Sequence, residues 1–216
     1  PNADPLRLQP GNCLIIPLAF SVVPGDIPWS AALAADCVRG LTARYPFLQA
    51  QTFGQSVLGR PLHCLSLGSG DRRVLYNAAH HANEWITTPV LFRFAELLAQ
   101  AWADDALLYG VSARQLLDAV TLSLVPLVNP DGVDLVTGAL SDPALLAQTQ
   151  AMAEYYPAIP YPEGWKANIR GVDLNLQYPA RWEMAREIKF EQGFTQPGPR
   201  DYVGSAPLTA PESRAL

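Results

Sequence analysis

The sequence is poor in the residues that mark several large classes of protein. It contains 15 lysines and arginines against 20 aspartates and glutamates, a net charge of -5, and no basic run. This balance excludes the charge pattern of proteins that bind nucleic acid or anionic membranes. No apolar run approaches the ~20 residues that cross a bilayer. No basic stretch followed by an apolar core is recognisable at the amino terminus as a secretory signal peptide.

Histidine and cysteine are also scarce, with three of each. Cys13, Cys37 and Cys64 lie far apart without a C-x-x-C pair, and three thiols cannot all pair within one chain. The cysteines therefore predict neither a disulfide framework nor a zinc ribbon, and we expect them to be buried or incidental. With 216 residues, 49% of them hydrophobic, the chain is long enough for one domain with a sizeable core.

Apolar periodicity predicts helices that alternate with strands. The predicted helices cover residues 30–45, 86–103, 111–119 and 141–155, with a short one near 182–188, and the predicted strands cover 47–57, 62–67, 72–79 and 120–128. The strand at 72–79 contains Val74-Leu75-Tyr76 and is predicted to be buried. This order predicts an α/β fold with a mixed, mostly parallel central sheet flanked by helices. Because sites in such sheets lie at the carboxyl ends of strands, we expect His81, Asn129 and Asp131 to share one site.

The segment after the 72–79 strand carries candidate metal ligands. His81 and Glu84 are three residues apart, so one helical turn can direct both side chains at one point. Imidazole nitrogen and carboxylate oxygen are common zinc ligands. Two alternatives stay open on these residues alone. The segment is equally a solvated helix start that favours Glu84 through the helix dipole, and His80, four residues before Glu84, is a competing ligand.

The two ends of the chain differ from its middle. Residues 1–17 resemble the closing part of a LysM repeat, a module that binds the glycan of peptidoglycan or chitin, and residues 18–29 are predicted to be a linker. Near the other end, Thr209-Ala210-Pro211-Glu212 is a capping-box pattern that predicts a helix start, and the sequence stops at Leu216. Because a one-turn helix is not stable alone, we expect the sequence to be a fragment.

Four segments together resemble the zinc carboxypeptidase family, the carboxypeptidase A-like peptidases. They are Gly59-Arg60-Pro61, His81-Ala82-Asn83-Glu84-Trp85, Val128-Asn129-Pro130-Asp131-Gly132 and Gly171-Val172-Asp173-Leu174-Asn175, in the family's order and spacing. Three further segments resemble its bacterial branch of γ-D-glutamyl-meso-diaminopimelate endopeptidases: Trp165-Lys166-Ala167-Asn168, Gln177-Tyr178-Pro179-Ala180-Arg181-Trp182 and Gly198-Pro199-Arg200-Asp201-Tyr202. The resemblance implies a zinc carboxypeptidase-like catalytic domain over residues 30–216, with its C-terminal part missing.

The resemblance implies roles for five residues. His81 and Glu84 would ligate Zn2+, and Asp173 would accept a hydrogen bond from the far ring nitrogen of His81. Arg60 and Asn175 would contact the substrate. Without the resemblance, Asp173 is equally well explained as a turn-forming residue and Arg60 as a surface residue.

Two positions depart from the family's pattern. Leu176 stands where the carboxypeptidases have an arginine that grips the terminal carboxylate of the substrate, which disfavours a general C-terminal exopeptidase. Lys166 stands where an arginine would polarise the scissile carbonyl. Lys166 keeps the positive charge and Arg170 is the alternative, and the sequence does not decide between these two candidate oxyanion stabilisers.

The family's third zinc ligand and general base have no counterpart in the sequence. They are a histidine on a later strand and a glutamate later still, whereas the remaining histidine, His63, lies in a predicted hairpin and is expected to be structural. We therefore expect both groups to lie beyond Leu216 or to be absent. The chain as given should bind zinc weakly and have negligible activity.

For the full-length protein, the resemblance implies zinc-dependent hydrolysis of γ-D-glutamyl-diamino acid amide bonds in the stem peptides of peptidoglycan. Such a protein would be bacterial and extracellular or associated with the cell wall, with glycan binding through a complete LysM module. Two other interpretations stay open. One is a non-catalytic cell-wall peptide-binding protein with a degenerate peptidase fold, and the other is a zinc carboxypeptidase of unusual specificity.

Overall fold

A computed structural model describes residues 20–25 and 27–216. The LysM-like segment at 1–17, with Cys13 inside it, and the first residues of the predicted linker lie outside the described residues. The other two cysteines, Cys37 and Cys64, are buried free thiols, as expected. Among the helices of the described residues, none combines the length and the hydropathy that a membrane span requires.

The described chain forms seven α-helices, all close to predicted positions except the fourth, where no helix was predicted. They are α1 (Ala31–Arg44), α2 (Thr87–Ala103), α3 (Ala113–Ala119), α4 (Pro130–Val136), α5 (Pro143–Glu154), α6 (Trp182–Glu191) and α7 (Pro211–Ala215). Side-chain caps are present at four of the starts, those of α1, α3, α4 and α5. Ser30 Oγ accepts a hydrogen bond from the Leu33 N–H at α1, and Asp142 Oδ1 accepts one from the Ala144 N–H at α5.

Helix α7 is present where it was predicted, but the predicted capping box is wrong. The N-cap residue is Ala210, and the hydroxyl of Thr209 donates to Gln177 Oε1 (2.9 Å) instead of capping the helix. The Glu212 carboxylate accepts a hydrogen bond from the Val57 N–H at 3.0 Å. Tertiary partners therefore take the two side chains that a local capping box would use, and α7 is held by the rest of the fold.

The strands are β1 (Gln49–Gln55), β2 (Pro61–Leu67), β3 (Arg72–Asn77), β4 (Leu107–Leu108), β5 (Val111–Ser112) and β6 (Val120–Val125). The main sheet has the order β1-β2-β6-β3, and β4 and β5 form a separate short hairpin. The sheet is mixed, as predicted, but in the described residues only β3 and β6 are parallel. The short connections from β1 to β2 and from β2 to β3 reverse the chain. Strand β6 lies between β2 and β3, and it runs antiparallel to β2 and parallel to β3.

The prediction that β3 is buried is also wrong for the described residues. Leu75 is 52% exposed and Tyr76 50% exposed, because β3 lies at the edge of the sheet and pairs with β6 alone. The Tyr76 ring makes an edge contact with Phe94 of α2. The apolar run predicts a strand, and the strand is present. Its burial depends on neighbouring strands and helices, which sequence periodicity does not identify.

Two hydrophobic clusters position the candidate site. The larger one fills the space between the sheet and helices α1 and α2, where Trp29 stacks on Phe92 with ring centroids 5.5 Å apart. The smaller one surrounds Trp165, which is fully buried, and it includes Ala82 and Ala167. Trp165 therefore anchors the loop that precedes Lys166 against the turn that follows β3.

The carboxyl ends of β3 and β6 are joined by main-chain hydrogen bonds beyond the strands. The Ala78 N–H donates to Val125 O, the Val128 N–H to Ala78 O and the Asn129 N–H to Ala79 O, at 2.9, 3.1 and 3.1 Å. The turn that leads to His81 thus lies beside the start of α4. Polar residues that follow two different strands are brought to one edge of the sheet, as the sequence predicted.

Candidate metal centre

His81 lies between two carboxylates. Its Nδ1 is 3.1 Å from Glu84 Oε1, and its Nε2 is 3.1 Å from Asp173 Oδ1. Residues Ala82–Glu84 form a single 3-10 turn, which brings the Glu84 carboxylate back to the ring three residues earlier. The two predicted ligands and the predicted supporting aspartate are therefore close together in the folded chain.

Hydrogen bonds from outside the turn hold its main chain. The Thr87 hydroxyl accepts from the Ala79 N–H and donates to Glu84 O, both at 2.8 Å. The Ala82 N–H donates to the carbonyl of Lys166 at 3.0 Å. The Ala82 side chain is fully buried. The geometry of His81 and Glu84 is thus fixed by α2 on one side and by the Lys166 loop on the other.

Asp173 is 4% exposed and is held as an anion. Burial on its own raises the pKa of this carboxyl, but the hydrogen bond and charge of His81 outweigh it, with help from the main-chain N–H groups of Asp201 and Asn175. Those N–H groups lie 3.1 Å from Oδ2 and Oδ1 respectively. The net effect lowers the pKa of Asp173 below its usual value, so the group stays a hydrogen-bond acceptor.

The same contacts shift the pKa of His81 upward. Its hydrogen bond to Asp173 raises the pKa most, burial opposes this, and the hydrogen bond and charge of Glu84 add to the rise. With Nε2 directed at Asp173, Nδ1 is the ring nitrogen that faces Glu84. A cation between Nδ1 and Glu84 would replace the proton that this environment favours.

The pair fits a zinc ion as two of its ligands. Two zinc ligands with bonds of ~2.0–2.2 Å in tetrahedral geometry stand about 3.3–3.6 Å apart, a few tenths of an ångström more than the 3.1 Å between His81 Nδ1 and Glu84 Oε1. A metal-bound histidine typically donates its other N–H to a carboxylate, which is the arrangement of His81 and Asp173. In residues 20–25 and 27–216, no cluster of three or more His, Cys, Asp or Glu side chains could hold a metal.

The other histidines have different partners. His80 Nε2 is 3.2 Å from Tyr178 Oη and its Nδ1 is 3.4 Å from Asn77 Oδ1. Burial lowers the pKa of His80, and the neighbouring His81 lowers it further. His63 lies on β2 with Nδ1 3.4 Å from Thr52 Oγ1 on β1, which agrees with a structural role. Of the three histidines, His81 alone has a ring nitrogen facing Glu84.

An open cleft of about 550 Å³ lies over the pair. Its walls are formed by polar and aromatic side chains and one leucine: Asn77, His80, His81, Glu84, Asn175, Tyr178 and Leu216. Asn175, predicted to contact substrate, therefore lies in the cleft with the candidate ligands. Tyr178 lies there too, and its only signal in the sequence is its place in the segment that resembles the bacterial branch.

The two candidate oxyanion stabilisers lie in different surroundings. Lys166 Nζ is 3.9 Å from Glu84 Oε1, and the lysine side chain is 23% exposed. Arg170 is exposed, and its main-chain N–H donates to Asn168 Oδ1 within the loop. The structure therefore brings Lys166, rather than Arg170, to the candidate ligands.

Arg60, predicted to contact substrate, does not line the cleft. Its guanidinium forms ion pairs with Asp131 (Nε to Oδ1, 3.5 Å) and Asp134 (Nη1 to Oδ2, 2.5 Å), and Nη1 also donates to Pro130 O. Asp131 in turn accepts from Ser56 Oγ and the Leu58 N–H, both at 2.9 Å. Arg60 and Asp131 thus hold the β1–β2 turn on α4, and the expectation that Asp131 shares the site of His81 is wrong for its side chain.

Comparisons with known proteins cover most of the chain. The zinc carboxypeptidase family profile matches residues 35–216. The chain belongs to the zinc carboxypeptidase family. Its cofactor is accordingly zinc, as the donor set of His81 and Glu84 suggests. The described fold is similar to carboxypeptidase A from Helicoverpa armigera, with a TM-score of 0.60 and 19% identity over 87% of this chain and 41% of that one.

Two bacterial relatives are more similar in sequence. A γ-D-glutamyl-L-diamino acid endopeptidase 1 from Lysinibacillus sphaericus is 40% identical over 199 residues, covering 92% of this chain and 49% of the relative. The protein YqgT of Bacillus subtilis is 42% identical over 175 residues, covering 80% of this chain and 45% of the relative. The chain thus spans about half the length of the curated relatives it matches.

Proposed function

We propose that the full-length protein is a zinc peptidase that hydrolyses γ-D-glutamyl-diamino acid amide bonds in peptidoglycan stem peptides. The observation that carries the proposal is the arrangement of His81 between Glu84 and Asp173, in a cleft, within a chain of the zinc carboxypeptidase family. The substrate class is supported by the 40% identity to a γ-D-glutamyl-L-diamino acid endopeptidase.

In this proposal His81 Nδ1 and Glu84 hold the zinc ion, which when bound supplies Lewis-acid activation of water and of the scissile carbonyl. Asp173 accepts the His81 Nε2–H and so fixes the tautomer that leaves Nδ1 free to bind metal. The Lys166 ammonium, close to Glu84, supplies positive charge where the carbonyl oxygen becomes negative. The Asn175 amide offers hydrogen bonds to the substrate inside the cleft. The third ligand and the general base are not among these residues, so activity is assigned to the full-length protein.

The residue after Asn175 supports an endopeptidase over a general carboxypeptidase. Leu176 cannot form the paired hydrogen bonds by which a guanidinium binds a terminal carboxylate. Release of single C-terminal residues from ordinary peptides should therefore be slow. The predicted extracellular or cell-wall location and the LysM contribution to glycan binding remain part of the proposal.

Hydrolysis of matched peptides tests the proposal. The full-length protein should cleave a muropeptide with a γ-D-glutamyl-diaminopimelate bond and leave the α-linked isomer nearly intact, and Glu84→Gln should abolish cleavage. Cleavage of α-linked peptides from the C-terminus would instead indicate a carboxypeptidase of unusual specificity. Tight binding of the muropeptide without any hydrolysis would indicate the non-catalytic cell-wall binder, which the presence of only two candidate ligands in the described residues keeps open.

A further inference from the structure

The segment Val128-Asn129-Pro130-Asp131-Gly132 helps to identify the family, yet the proposed mechanism assigns Asn129 no task. Asn129 is fully buried, and all of its side-chain hydrogen-bonding groups are used. Its Oδ1 accepts from the Gly132 N–H at 3.1 Å and caps α4. Its Nδ2 donates to two carbonyls of the opposite loop, Ala167 O at 2.9 Å and Lys166 O at 3.3 Å.

The same carbonyl of Lys166 also receives the Ala82 N–H of the metal-binding turn. The main chain of Asn129 reaches the residue two positions before His81, through its N–H to Ala79 O at 3.1 Å. Asn129 therefore contacts the loop with Lys166 directly, and it contacts the turn with His81 and Glu84 through the shared Lys166 carbonyl and through Ala79.

The packing around Asn129 leaves little freedom for these segments to shift. A Cβ at Gly132 would lie 2.8 Å from each of Ala82 Cβ, Ala167 O and Asn129 Nδ2. Only glycine at position 132 lets α4, the metal-binding turn and the Lys166 loop approach this closely. The asparagine amide thus lies at the centre of a tight three-way contact.

We propose that Asn129 is a positioning residue that fixes the Lys166 main chain against the turn carrying His81 and Glu84, and so sets the separation of the Lys166 ammonium from Glu84. The catalytic part of this inference rests on the proposed function. The alternative is that Asn129 serves only as the cap of α4. Serine distinguishes the two roles, because its short hydroxyl can still cap the helix but cannot reach the carbonyls of residues 166 and 167.

Amide hydrogen exchange of the full-length protein tests the positioning role without any need for activity. In Asn129→Ser, exchange at the Ala82 and Ala167 N–H groups should be about 10- to 100-fold faster than in the wild type, the range expected from losing two ordinary hydrogen bonds. The matched control is Asn168→Ser, an equally buried asparagine of the same loop that binds the N–H groups of residues 170 and 172. It should leave Ala82 exchange unchanged. Unaltered Ala82 exchange in Asn129→Ser overturns the proposal.

A double-variant cycle tests the catalytic consequence on the muropeptide. Asn129→Ser should lower kcat about 10- to 100-fold with KM changed less than about 3-fold, since misplacement by ~1 Å can cost two orders of magnitude. In a Lys166→Met background the same change should lower kcat no further, because its effect passes through Lys166. An equal, additive loss in that background contradicts the inference. If the wild-type protein cleaves no such bond, the proposed function fails, and hydrogen exchange still decides whether Asn129 fixes the loop.

Discussion

The sequence motif predicts that Arg60 contacts the substrate, whereas the structure pairs it with two aspartates. Replacing Arg60 with methionine distinguishes these two roles. The guanidinium pairs with Asp131, which is fully buried, and with Asp134, which is 5% exposed. Burial raises the pKa of Asp131, while the hydrogen bonds from Leu58 and Ser56 and the charge of Arg60 oppose this rise. Arg60→Met removes the only cation among these partners and leaves two carboxylates facing a methionine.

The expected loss of stability follows from these contacts. Removing one partner of a buried ion pair costs ~3–5 kcal/mol. Here the Arg60 side chain is 27% exposed, and Asp131 keeps the donors of Ser56 and Leu58, so we expect about 2–3 kcal/mol. For a domain of this size, each kcal/mol lowers Tm by ~2–4 °C, which gives a fall of about 4–12 °C.

Thermal unfolding and kinetics together decide the role of Arg60. The double variant Arg60→Met/Asp131→Asn should recover part of the lost stability, because the unpaired buried charge is then gone. The KM of folded Arg60→Met for the muropeptide should stay within about 3-fold of the wild type, a change below 1 kcal/mol. An unchanged Tm, combined with a KM raised more than 10-fold, would show that Arg60 contacts the substrate and does not stabilise the fold.

Three further predictions concern the site and its support. Asp173→Asn should weaken zinc binding by the full-length protein 10- to 100-fold, measured by competition with a chelating dye, while Tyr178→Phe as a control should leave it unchanged. Lys166→Met should lower kcat/KM on the muropeptide by about 10²–10³-fold, and Arg170→Met should change it little. A large loss in Arg170→Met with little loss in Lys166→Met would instead make Arg170 the oxyanion stabiliser. Burial raises the pKa of Glu212 above its ordinary value of 4.5. Above pH 4.5 the folded protein therefore binds more protons at Glu212 than the unfolded chain does, and the free energy of unfolding falls as the pH rises. Glu212→Gln should flatten that fall in denaturant titrations between pH 4.5 and 7, and an identical pH dependence would contradict this.

Some of this arrangement could be predicted from the sequence because it depends on local order. The apolar periodicity predicts the strands of the main sheet and the longer helices, and polar residues after strands indicate one edge of the sheet. It does not predict α4 or the short β4–β5 hairpin. The approach of His81 and Asp173, which are 92 residues apart, came from the family resemblance rather than from periodicity. Their proposed roles in metal binding stay predictions.

Other features depend on partners that are distant in sequence. An arginine after a turn has the same local sequence pattern whether its side chain faces a cleft or a buried aspartate. The pattern therefore does not predict the pairing of Arg60 with Asp131. The Thr209-to-Glu212 spacing satisfies a local capping rule, but Gln177 and Val57 bind those side chains instead. The exposure of β3 was missed because an apolar strand has the same sequence pattern at the edge and at the centre of a sheet.

In the proposed site, His81 and Glu84 hold zinc and Asp173 accepts a hydrogen bond from the far nitrogen of the imidazole. Anomalous diffraction at the zinc absorption edge, from zinc-loaded crystals of the full-length protein, measures this directly. We predict a peak ~2.0–2.2 Å from both His81 Nδ1 and a Glu84 carboxylate oxygen, with His81 Nε2 still on Asp173. A peak on His80, or on Nε2 of His81 with Glu84 turned away, would show that His81 Nδ1 and Glu84 are not the zinc ligands.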